Sequence, residues 1–123
     1  MKYCRRRRRN MSKHDDQVSL KDMLSHAREA VDLLGGSIRE ELAANRVLQL
    51  ALTQLVEIIG EAANRMSQPT QSRHPEIPWL QIIGMRNRLV HGYDVIDFDL
   101  LWDTITTDLP PLIDALQEIV EDA

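Results

Sequence analysis

The segment from Gly84 to Tyr93 combines side chains that can act on a phosphate ester. Arg86 and Asn87 are adjacent, His91 follows Arg86 with four residues between them, and Tyr93 comes two residues later. An imidazole titrates near neutral pH and can take up or release a proton. A guanidinium offers a planar set of donors to phosphate oxygens. These groups suit cleavage of RNA by its own 2′-OH without a metal ion, with Arg86 and His91 as candidate catalytic residues and Asn87 in support.

The spacing of Arg86 and His91 is weak evidence on its own. The same spacing separates Arg9 from His14, and short motifs of this kind often arise by chance. An arginine and a histidine near a helix end can also form a surface pair, interact with the helix dipole or make a structural hydrogen bond. Because the reaction needs both an acid and a base, and one chain supplies one suitable histidine, the chemistry also requires a two-fold dimer.

Length and composition predict one all-helical domain. Of the 123 residues, 43% are hydrophobic and only 4% are aromatic, so aliphatic side chains must form the core. The single cysteine, Cys4, excludes an internal disulfide and a cysteine-based zinc site. His74 has no other ligand at a suitable spacing, so we expect neither a metal nor a cofactor. No apolar run approaches the ~18 residues of a membrane span, and we expect a cytoplasmic protein that does not bind membranes.

The charge is divided unevenly along the chain. Lys2 and the run Arg5–Arg9 supply six positive charges. The remaining residues carry nine Lys/Arg against nineteen Asp/Glu, which gives them a net charge of −10. An acidic domain argues against a broad nucleic-acid-binding face, so any RNA must meet a local basic site. Residues 1–16 lack apolar periodicity and are predicted to be a disordered basic extension. This extension is either an RNA-attracting arm or a segment that precedes a native start at Met11.

Apolar periodicity predicts four helices in the remaining residues, 17–123. We expect a first helix capped by Ser19 and ended by Gly35, a second from about Ile38 to Met66, a third from Pro78 to Gly92, and a fourth that starts near residues 97–99. Residues 67–77 contain two prolines and are predicted to be a loop. The apolar stripe of the fourth helix continues through Pro110 and Pro111, which indicates a kinked helix. The best architecture is an antiparallel four-helix bundle.

Several longer stretches resemble a known family, the HepT-like HEPN ribonucleases. The stretches are Ile58–Ala63, His74–Trp79, Ile82–Tyr93, Leu101–Trp102 and Asp108–Leu112. The resemblance spans roughly residues 18–121 and is far more specific than the Arg/His spacing. It also sets aside Arg9 and His14, which lie outside the region of likeness.

The resemblance implies a four-helix HEPN bundle that acts as a homodimer, with a metal-independent ribonuclease site at the dimer cleft. It implies the toxin half of a toxin–antitoxin pair whose partner is a minimal nucleotidyltransferase antitoxin. In such pairs the partner silences the toxin by transferring AMP to a tyrosine. By this likeness Arg86 and His91 are catalytic, Asn87 is the supporting polar residue, and Tyr93 is the AMP acceptor. The substrate is RNA, either tRNA or mRNA.

Two other functions remain open from the sequence. The first is a non-catalytic helical module that docks a partner nucleotidyltransferase or a nucleotide. The second is a plain oligomerisation domain, which explains the apolar stripes but not the clustering of Arg86, Asn87, His91 and Tyr93.

Overall fold

The computed structural model describes residues 13–92 and 95–122, and this part of the chain is mostly helical. Its elements are α1 Lys13–Leu34, α2 Arg39–Ala44, α3 Arg46–Asn64, α4 Gln68–Arg73, α5 Trp79–Ile83, α6 Met85–Leu89, β1 Val90–His91, β2 Val95–Ile96, α7 Phe98–Asp103, a π-helix Thr104–Asp108, and α8 Leu109–Asp122. The helical content agrees with the predicted fold class, whereas the four-helix count and the dimer remain predictions. None of the described helices is long and apolar enough to span a lipid bilayer.

Helix α3 is the centre of the fold. Nine of its 19 residues are buried, and Leu52, Val56 and Ile59 have no exposed surface. Such a helix, apolar around much of its circumference, needs neighbours on several sides. Helices α1, α2, α5, α6 and α7 all pack against α3, and α8 completes the core by packing against α1.

Helix α1 begins at Lys13, so the predicted start at Ser19 is wrong. Asp15 and Asp16 lie in the first turn, where negative charge interacts favourably with the helix dipole. Ser19 lies six residues into the helix and is buried. Residues 13–16 of the predicted extension are therefore helical, and the prediction of disorder for residues 1–12 lies outside the described residues. The predicted end of this helix is confirmed, because Gly35 follows Leu34 with a positive φ of 54°.

The predicted second helix is divided at Asn45 into α2 and α3. Asn45 has an extended backbone with φ −117° and ψ 94°. Its side-chain oxygen accepts a hydrogen bond from the backbone N–H of Leu48 at 3.0 Å. Asparagine at the N-cap position satisfies one of the free donors at the helix start. Because the apolar stripe continues on both sides of Asn45, periodicity alone did not reveal the break.

The predicted loop 67–77 contains the short helix α4. Ser67 caps this helix, and the buried carboxylate of Asp16 from α1 holds the cap in place. Asp16 accepts hydrogen bonds from the backbone N–H of Ser67 at 3.0 Å, from the Ser67 hydroxyl at 2.6 Å and from the Thr70 hydroxyl at 2.5 Å. This cluster ties the start of α1 to the connection that follows α3.

The predicted third helix is also divided, into α5 and α6, with Gly84 between them. It ends at Leu89, three residues before the predicted stop at Gly92. The next residues form β1, which pairs antiparallel with β2. Gly92, with a positive φ of 69°, lies after β1 and is a turn residue of the hairpin. His91 is therefore on a strand and not in the last turn of a helix.

The start of the fourth helix is confirmed, because Asp97 caps α7 at Phe98. The π-helix connects α7 to α8 through residues with right-handed helical dihedrals, Thr104 at −59°/−49° and Leu109 at −71°/−40°. The chain therefore stays helical through Pro110, as the apolar stripe predicts. A proline lacks the N–H that continues an α-helical ladder, and the wider hydrogen-bond spacing of the π-helix lies directly before it.

Gly60 allows a close contact between α3 and the end of α5. A β-carbon at Gly60 would lie 3.0 Å from the Ile82 carbonyl oxygen and 3.3 Å from the Ile83 carbonyl oxygen. These distances are shorter than ordinary van der Waals contact. Any larger residue would therefore displace the backbone just before Gly84 and α6.

We expect Gly60→Ala to lower the free energy of unfolding by about 1 kcal/mol. Alanine gains about 1 kcal/mol of helix propensity over glycine, but overpacking costs about 1–3 kcal/mol. The opposing atoms belong to the backbone and cannot rotate away. Urea denaturation measures the change. Gly36→Ala is the matched control, because no atom lies within 4 Å of its β-carbon position. Equal stability of the two variants would contradict the packing argument.

We expect the Asp16 cluster to make stability depend on pH in the acid range. Burial raises the pKa of Asp16, but the hydrogen bonds from Ser67 and Thr70 and the charge of Arg73 outweigh burial and hold the pKa below its ordinary value of 3.8. The stabilisation of the folded state by the Asp16 charge is therefore complete above that ordinary pKa. It is lost as the pH falls through the lower folded-state pKa. Asp16→Ala should cost about 2 kcal/mol at neutral pH, because buried donors lose a charged acceptor.

Denaturation of Asp16→Ala and of the unchanged protein across this pH range measures the effect. The stability difference should shrink as the pH falls below 3.8. A difference that stays constant would show that the Asp16 charge contributes nothing. Asp22→Ala provides a control, because Asp22 is half-buried on the same helix and its carboxylate makes no described hydrogen bond or ion pair.

Candidate functional site

Helix α6 presents its polar residues to solvent and its apolar residues to the core. Met85 and Leu89, one turn apart, are 6% and 1% exposed. Arg86, Asn87 and Arg88 lie between them and are exposed. The packing of α6 against α3 and α7 therefore fixes which way the helix faces. The two predicted residues Arg86 and Asn87 are on its outer side.

The two arginines of α6 differ in their contacts. Arg88 donates a hydrogen bond from Nη2 to the backbone oxygen of Gln81 at 2.9 Å. Arg86 makes no hydrogen bond or ion pair with any other residue that the structure describes. Among the described residues, no side chain or carbonyl group occupies the donors of the Arg86 guanidinium. This difference, together with the spacing to His91, distinguishes Arg86 from Arg88 as the predicted site residue.

His91 is held by the β-hairpin that follows α6. Val90 pairs with Ile96, and His91 pairs with Val95. Along β2, Val95 is exposed and Ile96 is buried. His91, which pairs with the exposed Val95, is also exposed, with 62% of its side-chain surface accessible. The backbone N–H of Asp97 donates to the Leu89 oxygen at 2.8 Å, which joins the end of α6 to the end of the hairpin.

Asp97 is the residue of the site that the sequence did not identify. Its carboxylate Oδ2 lies 3.9 Å from Nε2 of His91, and its Oδ1 accepts the backbone N–H of Leu100 at 3.0 Å. From the sequence, the region of Asp97 marked only the start of a helix. The proximity to His91 depends on the β1–β2 pairing, and two-residue strands leave almost no alternation from which to predict pairing.

Tyr93 lies outside the described residues, and so does Arg9. Tyr93 follows Gly92 and precedes β2 in the sequence, so its predicted role stays a prediction. The structure therefore places Arg86 and Asn87 on α6 and His91 on the adjoining hairpin. All three are exposed.

The site is an open surface. A cavity of about 260 Å³ lies between α5, α6 and the start of α8, and Arg88 is one of its lining residues. Its apolar wall includes Ile82, Met85 and Leu112. Neither Arg86, Asn87 nor His91 lines this cavity. Among the described residues no three His, Cys, Asp or Glu side chains gather as metal ligands.

Comparison with known proteins identifies the family. A family model described as Ribonuclease HepT-like matches residues 20–119. The chain belongs to the HepT-like ribonuclease family. The resemblance carried by the segment around Arg86 and His91 is thus confirmed at the level of the family. No significant match was found among solved structures.

Three relatives of this HepT-like chain illustrate the likeness. The "Probable ribonuclease HepT" of Thermococcus cleftensis is 36% identical over 98 residues, which cover 76% of this chain and 89% of that protein. A "Putative RNase" of Methanocaldococcus jannaschii is 32% identical over 102 residues, covering 83% and 94%. A "Putative RNase" of Caldanaerobacter subterraneus is 29% identical over 102 residues, covering 83% and 91%.

The chemistry open to this HepT-like surface follows from its groups. Arg86 can bind two oxygens of a phosphate and stabilise added negative charge. His91 can exchange a proton with a hydroxyl. Asn87, beside Arg86, can donate or accept a hydrogen bond. Of the histidines whose side chains the structure describes, His91 directly follows α6 in the chain, whereas His26 lies on α1 and His74 lies after α4.

Proposed function

We propose that this HepT-like protein is a metal-independent endoribonuclease and the toxin component of a toxin–antitoxin pair. The observation that carries the proposal is the exposed Arg86, free of described partners, on a helix that leads directly into the hairpin of His91. Membership of a ribonuclease family supports RNA as the substrate. The names of the relatives from Thermococcus cleftensis and Methanocaldococcus jannaschii support the same activity.

In the proposed reaction, the 2′-OH of the RNA attacks the adjacent phosphorus. A histidine takes the proton from that hydroxyl as the new O–P bond forms. The bond from phosphorus to the 5′-oxygen breaks, and a second group donates a proton to the departing oxygen. The products are a 2′,3′-cyclic phosphate and a 5′-hydroxyl. Arg86 stabilises the charge that builds up on the phosphate oxygens, and Asn87 helps to orient the phosphate.

A homodimer with His91 from both copies would supply the base and the acid together. In a two-fold assembly, each residue near the axis has an equivalent on the other side. Val95, the pairing partner of His91, exposes 62% of its surface. An exposed aliphatic side chain beside a polar site fits a surface that a second copy covers. We therefore place the dimer cleft at this end of the molecule.

Tyr93 is the proposed site of control by a minimal nucleotidyltransferase antitoxin. It is two residues from His91 in the sequence. AMP on its phenol oxygen would add bulk and negative charge beside the groups that bind RNA. Repulsion of RNA phosphates would follow from the same electrostatics by which phosphorylation blocks acidic partners. The modification thus acts on substrate binding and needs no change of fold.

We expect Arg86→Ala and His91→Ala to reduce RNA cleavage by at least about 100-fold, the scale of losing a charge-stabilising or general acid–base group. Both residues are exposed, so unfolding free energies should change by less than about 0.5 kcal/mol. Cleavage of labelled RNA, with and without EDTA, measures the effect, and EDTA should not reduce the rate.

Matched controls are Arg28→Ala on α1 and His74→Ala after α4, which remove the same groups from other parts of the surface. They should cleave RNA as the unchanged protein does. Full activity of His91→Ala would exclude the proposed mechanism. Purified dimer that cleaves no RNA but accepts AMP on Tyr93 would favour a non-catalytic module that docks the nucleotidyltransferase.

We expect co-expression with the partner nucleotidyltransferase to add AMP to Tyr93 and to suppress cleavage. Intact mass spectrometry detects the added mass, and peptide mapping locates it. Tyr93→Phe should gain no mass and should stay active, because the phenol oxygen takes no part in the proposed cleavage. Tyr3 is the natural internal control, since it is the other tyrosine of the chain. AMP on Tyr3 alone, or cleavage unaffected by AMP on Tyr93, would argue against this form of control.

A further inference from the structure

Asp97 connects three elements of the site through three separate atoms. Its backbone N–H donates to the Leu89 oxygen at the end of α6 at 2.8 Å. Its Oδ1 accepts the Leu100 N–H in the first turn of α7 at 3.0 Å. Its Oδ2 lies 3.9 Å from Nε2 of His91 on β1. One residue therefore touches α6, α7 and the strand that carries the proposed catalytic histidine.

The first two contacts restrict the direction of the third. The Leu89 bond fixes the backbone of Asp97, which is extended at φ −75° and ψ 93°. The Leu100 bond fixes the rotation of the carboxylate, because one oxygen must stay over the start of α7. The second oxygen is consequently held toward His91. It is not a freely rotating surface charge, although 40% of the side-chain surface is exposed.

Helix capping alone does not require a charge at this position. In the same chain, Asn45 caps α3 and Ser67 caps α4, each with a neutral side-chain oxygen that accepts a backbone N–H. Capping occupies Oδ1 of Asp97, and its charge interacts favourably with the dipole of α7, but Oδ2 makes no described hydrogen bond within α7. The nearest described basic group to which Oδ2 is directed is the imidazole of His91.

The 3.9 Å separation is longer than a hydrogen bond, but contacts of this kind often tighten when substrate binds. A carboxylate that accepts a hydrogen bond from one imidazole nitrogen favours the tautomer with a proton on that nitrogen. The proton of neutral His91 is then on Nε2, and the lone pair is on Nδ1. The same carboxylate stabilises the imidazolium that forms when Nδ1 takes up a proton. An aspartate that holds a histidine in this way orients the base and does not itself exchange the proton.

We propose that Asp97 is a positioning residue for His91: by facing Nε2, it makes Nδ1 the atom that exchanges a proton with RNA. This role rests on the proposed function. It adds a residue outside the Arg86–His91–Tyr93 pattern and assigns the reacting atom of the imidazole. During cleavage, Nδ1 of one copy takes the proton of the 2′-OH, and Nδ1 of the protonated histidine in the other copy returns a proton to the 5′-oxygen.

The decisive variants separate capping from charge. Asp97→Asn and Asp97→Ser keep an oxygen that can cap α7, since these residues are good N-caps, but both remove the carboxylate that faces His91. Asp99→Asn is the matched control. Asp99 is an exposed aspartate of the first turn of α7, and it pairs with Arg39 at 3.6 Å rather than with His91. Denaturation checks that the variants are folded.

The first measurement is the tautomer of His91, from long-range ¹H–¹⁵N spectra of the full-length protein at alkaline pH. We expect the Nε2–H form in the unchanged protein and in Asp99→Asn. The Nδ1–H form should increase in Asp97→Asn and Asp97→Ser. A predominant Nδ1–H form in the unchanged protein, or identical tautomer ratios in all variants, would overturn the proposal. This measurement does not depend on RNA cleavage.

The second measurement is the division between kcat and KM for RNA cleavage. Asp97→Asn and Asp97→Ser should lower kcat by about tenfold or more, as loss of a group that orients a reacting residue does. Loss of a negative charge should leave KM unchanged or reduced in all three variants. If the unchanged protein cleaves no RNA, the proposed function itself fails. If it cleaves RNA and Asp97→Asn keeps its kcat, only the role of Asp97 is overturned.

Discussion

The contact between Gly60 and the carbonyl groups of Ile82 and Ile83 determines where the site lies. It brings the backbone at the end of α5 so close to the central helix α3 that a β-carbon at Gly60 would lie 3.0 Å from a carbonyl oxygen. Because this contact immediately precedes Gly84, it also sets where α6 begins and which of its sides meets the core. Met85 and Leu89 are buried as a result, and the residues between them face solvent.

The remaining part of the site depends on a different kind of interaction. The hairpin β1–β2 is only two residue pairs long, too short to be stable by itself. Its position is secured by the buried side chain of Ile96 and by the hydrogen bond from Asp97 to Leu89. Core packing thus places Arg86, whereas local hydrogen bonds place His91. Small movements of the hairpin can change the separation of the two groups without unfolding a helix.

Local signals allowed correct prediction where neighbouring residues decide the structure. Gly35 ends α1, and Asp97 starts α7, because caps act within one turn. The breaks at Asn45 and Gly84 were not predicted, since the apolar stripes continue across them, although Asn45 caps α3 by a local hydrogen bond. Likewise Arg86 and His91 stood out by residue type, but Asp97 could not be assigned to the site. Its neighbour His91 is six positions away, and a short strand pairing brings them together.

The charge of Asp97 is unfavourable for binding RNA. The domain is already acidic, because nine Lys/Arg and nineteen Asp/Glu give residues 10–123 a net charge of −10. Binding of RNA phosphates therefore relies on a few local cationic side chains. A carboxylate beside His91 repels the substrate, although its charge at the start of α7 interacts favourably with the helix dipole. The repulsion can be offset by a compensating effect after binding. Stabilising a positively charged His91 during proton transfer provides one, because that charge exists only while the reaction proceeds.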